Sequence, residues 1–74
     1  MPPSYPHLSG KEVIKTLEKM GFVVVRQKGS HVVLRNGSHG CVVPNHAEIK
    51  VGTLSGILKQ AGVSLEKFLR VYNA

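Results

Sequence analysis

Three short β-branched runs, separated by breaks too short to hold a helix, constrain this chain more than anything else in it. Phe22-Val23-Val24-Val25 is followed by a break at Gly29-Ser30, then Val32-Val33-Leu34, a break at Asn36-Gly37, and Cys41-Val42-Val43 ended by Pro44. Parallel strands need long crossovers, so runs joined this tightly pair as neighbouring antiparallel strands. The spacing predicts a three-stranded antiparallel meander. A two-residue turn with glycine first at Gly29-Ser30 sets Lys28 opposite His31. Side chains alternate between the faces of a strand, so Arg26, two residues from Lys28, falls on the same side.

Helices are predicted on both flanks of the meander. Ser9-Gly10-Lys11-Glu12 has the spacing of a capping box, in which the serine and glutamate side chains satisfy backbone donors at a helix start. Val13, Ile14, Leu17 and Met20 then recur on one helical face, with Gly21 as a left-handed stop. Beyond the sheet, Val51, Leu54, Ile57, Leu58 and Ala61 keep helical spacing up to Gly62. Ser64 caps a short last helix carrying Leu65, Phe68, Leu69 and Tyr72. The expectation is an α+β fold of order α-β-β-β-α with a small extra C-terminal helix. Helices on one face of the sheet leave the other free for a ligand.

At 74 residues there is room for one small core. We expect residues 9–74 to form one domain and residues 1–8, punctuated by Pro2, Pro3 and Pro6, to be an extended arm. The lone Cys41 excludes an internal disulfide and reads as a small buried hydrophobe. With no apolar run long enough for export or insertion, the chain reads as cytosolic with no membrane partner. Its oligomeric state is not encoded legibly.

Ten Lys+Arg against four Asp+Glu give a net charge of +6, which favours polyanions or acidic protein partners. Beside the cations Arg26 and Lys28, His31 is the candidate for chemistry. An imidazole can accept a proton from a ribose 2′-hydroxyl and return it, while cationic donors stabilise the charge of a pentacovalent phosphorus. A histidine packed at a strand end is the alternative. Gly29 and Ser30 read first as a turn that fits, and Gly29 would also let an RNA backbone come close. Ser30 is no nucleophile for His31, because adjacent strand residues point to opposite faces.

His46, after Pro44, suits either acid–base chemistry, a phosphate contact or ordering of its loop. Lys50, Gly52 and Thr53 open the second helix, where unpaired backbone donors favour an anion, although Gly52 could equally serve close packing. His7 and His39 read as surface residues. His39, Cys41 and His46 lack the spacing of a zinc site, and no metal or other cofactor is expected.

Several of these segments recur together in one family. Arg26-Gln27-Lys28-Gly29-Ser30-His31-Val32-Val33-Leu34, Val43-Pro44-Asn45-His46, Gly52-Thr53-Leu54 and Ile57-Leu58-Lys59-Gln60-Ala61-Gly62 resemble the HicA toxins of bacteria, from about Ser9 to Leu69. The resemblance implies the double-stranded-RNA-binding fold and an endoribonuclease that cleaves single-stranded mRNA. It also implies a catalytic role for His31, a match of His46 to the family's Pro-x-His segment, and a HicB-like antitoxin as partner. The rival readings are a non-catalytic RNA-binding module of the same fold, which has no need of His31, and a small protein-interaction adaptor that touches no RNA.

Overall fold

A computed structural model describes residues 7–74. The proline-rich stretch of the expected arm, residues 1–6, lies outside them. The element order is α1 (Gly10–Lys19), β1 (Val23–Lys28), β2 (His31–Asn36), β3 (His39–Pro44), α2 (Val51–Ala61) and α3 (Leu65–Tyr72). This is the α-β-β-β-α arrangement with its short extra helix. The sheet is antiparallel in the order β1-β2-β3.

Helix α1 starts where its capping box sits. Ser9 Oγ accepts from the Glu12 amide at 3.1 Å, and Glu12 Oε1 accepts from the Ser9 amide at 3.0 Å. The other Glu12 oxygen accepts the Tyr72 hydroxyl at 3.0 Å, so one carboxylate caps the first helix and holds the last. Helix α2 ends at Gly62 in the left-handed conformation, and α3 begins with the Lys67 amide donating to Ser64 Oγ at 3.2 Å.

All three helices lie on one face of the sheet. Val13 and Leu17 of α1, Leu54, Ile57 and Leu58 of α2 and Phe68 of α3 are buried with Val32, Leu34, Cys41 and Val43 of the sheet. Leu8 is buried too, its carbonyl accepting the Ile49 amide at 2.7 Å in an isolated bridge. The packed unit thus reaches back beyond the helix cap.

Local details differ from the sequence reading. The second turn is Gly37-Ser38, not Asn36-Gly37, because Asn36 still pairs with His39 and Gly37 takes the left-handed φ of 62°. Strand β1 starts one residue later than expected and runs on through Lys28. Phe22 instead precedes the strand and is buried in the core. Pairing passes from Val24–Leu34 to Arg26–Val33, so Val25 is the extra residue of a β-bulge. The helices pack chiefly against β3, and all six residues of β1 are exposed.

The backbone donor of Ser9, and then Tyr72, hold the Glu12 carboxyl below the ordinary carboxylate value of 4.5. A carboxylate with a lowered folded pKa stabilises above its unfolded value, and that contribution disappears as pH falls through the folded one. The melting temperature should therefore drop on acidification below 4.5. Glu12→Gln keeps the capping geometry without the charge, so it should flatten that drop. Melts of both proteins across the acid range check this, and an equally steep loss in the variant would remove Glu12 from the effect.

Candidate nucleic-acid interface

The site begins with a turn. Gly29 has a φ of 59° while Ser30 does not leave the negative half, so only the first central residue is left-handed, as in a type II′ turn. Its hand matches the twist of paired strands, which allows Lys28 and His31 to close the hairpin directly opposite each other. Among the described residues, nothing beyond the turn's own adjoining residues lies within 4 Å of where a Gly29 Cβ would be, so backbone conformation rather than crowding calls for glycine there.

Parity then assigns the faces. Val32 and Leu34 are buried under the helices, so His31, Val33 and Arg35 belong to the open face. Lys28 stands beside His31 and Arg26 beside Val33, which brings both predicted cations to that face. Directly opposed Cβ atoms lie about 4.5–5.5 Å apart and diagonal ones about 7–8 Å, within reach of one phosphate for long side chains. His31, Lys28 and Arg26 are all exposed.

Arg35 is a further exposed cation of this face, one that the sequence reading does not single out. It shares the parity of His31, sits opposite Gly40, and its stem passes 3.7 Å from where a Cβ on that glycine would be. The alternation His31, Val33, Arg35 was the signal. The four acidic residues are Glu12, Glu18, Glu48 and Glu66, so none lies in a strand. Among the described residues, Glu48 lies 3.7 Å from the His7 ring and Glu66 3.3 Å from the Arg70 guanidinium, so neither pairs with the sheet's cations.

The loop after β3 approaches the same end of the sheet. Pro44 pairs with His31 across the ladder, and the Asn45 amide donates to the Ser30 carbonyl at 2.6 Å. His46 follows, its amide turned back to the Pro44 carbonyl at 2.9 Å and its carbonyl accepting the Gly10 amide at 2.8 Å. The backbone of His46 thus orders the loop. Its imidazole is exposed and makes no hydrogen bond among the described residues.

Lys50 is the N-cap of α2, exposed and without a side-chain cap, and the first turn holds no acidic residue. Among the described residues, nothing outside the adjoining backbone of α2 lies within 4 Å of a Gly52 Cβ, so close packing is not the reason for that glycine. His39 is elsewhere, its ring against Gly62 at the far end of α2. Cys41 faces the core, and burial raises its thiol pKa. Among the described residues, no three His, Cys, Asp or Glu side chains gather as a metal site would require.

The model of the HicA toxins of bacterial toxin–antitoxin systems matches residues 10–63 of the 74. The chain belongs to the HicA toxin family. That match spans α1, the whole sheet and α2, and so contains the hairpin, the His46 loop and Lys50. Membership makes this HicA chain a toxin-system component with an antitoxin partner, and RNA is the family's general substrate. No curated protein matches it.

If the open face receives RNA, each cation on it should appear in the salt dependence of binding. A phosphate contact contributes a slope of about 0.7 on single strands through counterion release. Lys28→Ala and Arg35→Ala should each flatten the plot of log affinity against log salt by about that amount, regardless of RNA sequence. An unchanged slope in either variant would take that residue off the bound strand.

Proposed function

We propose that this HicA chain is a metal-independent endoribonuclease acting on single-stranded mRNA in the cytoplasm and silenced by a HicB-like antitoxin. The observation that carries the reading is the register pair Lys28–His31, with Arg26 on the same acid-free face. Family membership supports it.

In this mechanism His31 removes the proton from a ribose 2′-hydroxyl, and the 2′-oxygen attacks the adjacent phosphorus. The bond from phosphorus to the 5′-oxygen then breaks, leaving a 2′,3′-cyclic phosphate and a 5′-hydroxyl that regains the proton. His31 can return it, and His46 is the second acid–base candidate. Lys28 and Arg26 hold the phosphate and oppose the negative charge that grows on it during attack. Gly29, which has no side chain, and Ser30 let the sugar–phosphate backbone approach the turn, and Lys50 takes a neighbouring phosphate at the start of α2.

His31→Ala should abolish cleavage of a long unstructured RNA while leaving circular dichroism and melting temperature nearly unchanged, since an exposed imidazole contributes little packing. A general base supplies about 10²–10⁴-fold in rate, so a folded variant with more than about a third of the activity would rule His31 out. RNA binding by the unaltered chain with no cleavage at all would favour the non-catalytic RNA-binding module.

Excess EDTA should leave the rate unchanged, because this chemistry uses only imidazole and cationic side chains. Cleavage lost to the chelator and restored by zinc or magnesium would overturn metal independence.

A further inference from the structure

The sheet has two edges, and they are treated differently. The outer side of β3 is engaged by α2, where Gln60 Oε1 accepts the Val42 amide at 3.3 Å. No described element pairs with the outer side of β1. An unpaired edge is a template for another strand, and soluble proteins ordinarily shield it with charge, a bulge or a covering element. Here Arg26, Lys28 and the bulge at Val25 supply the first two. They do not account for Val23, Val24 and Val25, which are 61%, 38% and 53% exposed. Val23 lies on the open face opposite Arg35, whereas Val24 lies beside Leu34 on the helix side beyond the cover of the helices. The edge is therefore apolar on both faces at one end and cationic at the other.

Backbone geometry gives the edge a usable pattern. Lys28 and His31 close a two-residue turn and exchange both hydrogen bonds, so the next pair, Gln27–Val32, exchanges none. The Gln27 N–H and C=O thus point away from β2 into the open edge.

We propose that this edge receives an extended, acidic segment of the antitoxin as an added β-strand, apolar side chains covering Val23–Val25 and carboxylates opposing Arg26 and Lys28. The inference rests on the toxin–antitoxin reading for the identity of the partner. A second copy of the chain suits the edge poorly, since it would bring one +6 surface against another. RNA matches the cations but has no amide ladder to pair with Gln27 and makes no use of three exposed valines. Strand addition uses both: main-chain bonds give affinity, and alternate side chains give specificity. It also places the partner beside Lys28 and His31, so that docking on the edge obstructs the open face.

The test uses the full chain with its purified HicB-like antitoxin, read by amide hydrogen exchange, calorimetry and RNA cleavage. The Gln27 amide should become protected in the complex. Gln27→Pro removes the outward donor together with the side-chain bond from Gln27 Nε2 to the Gly29 carbonyl at 3.3 Å, and Val25→Glu sets a like charge against the acidic strand while leaving that bond in place. Each should weaken antitoxin binding by about tenfold or more while RNA cleavage persists. Should the proline variant fail to fold, Val25→Glu, at an exposed position, carries the test.

An antitoxin that binds and inhibits while Gln27 exchanges freely and both variants bind normally overturns strand addition and leaves the proposed function standing. An antitoxin that neither binds nor inhibits overturns both. Concentration-dependent protection of β1 in the isolated chain would assign the edge to a second copy and overturn the inference.

Discussion

The pairing of Lys28 with His31 fixes the parity of the sheet. Because side chains alternate with a period of two, a one-residue slip would drive Val32 and Leu34 into solvent and turn His31 toward the helices. Two forces hold the register from opposite sides. The glycine-led turn admits only this closure, and the helix layer rewards only this set of buried residues. The cationic face is the other half of the same alternation, so the residues that stabilise the fold also decide which ones share the open face.

Much of this was readable without coordinates because it depends on local rules. The capping box, the left-handed glycines and the β-branched runs each act within a few residues, and the elements they imply are present. What escaped depends on distant partners. Phe22 looks like a strand residue by composition, yet it is drawn into the core before β1 begins. The bulge at Val25 and the bareness of β1 depend on how far the helices reach across the sheet. Gly52 invited a packing explanation that the open space around it removes. Arg35 is legible by alternation alone, since it lies four residues along β2 from His31 and so on the same face.

Tertiary economy is visible at two polar side chains. Glu12 serves the start of α1 and the end of α3 together, which ties chain segments far apart in sequence through one carboxylate. Gln60 reaches from α2 to an edge amide of β3 and helps to fix the helix layer over that side of the sheet. With the helices so placed, β1 is the strand left uncovered. The asymmetry of the two edges follows from where the helices are anchored.

Gly10 carries a further consequence. A Cβ at this position would lie 2.3 Å from the Pro44 carbonyl oxygen and 2.7 Å from the Asn45 Cα, so the first turn of α1 meets the β3–α2 loop backbone against backbone. With no side chain between them to change rotamer, the contact has little slack, and the Gly10 amide locks it through the His46 carbonyl. Helix and loop therefore behave as one rigid unit. The placement of the His46 backbone thus depends on the start of α1, and loosening that start would release the loop from which the imidazole projects.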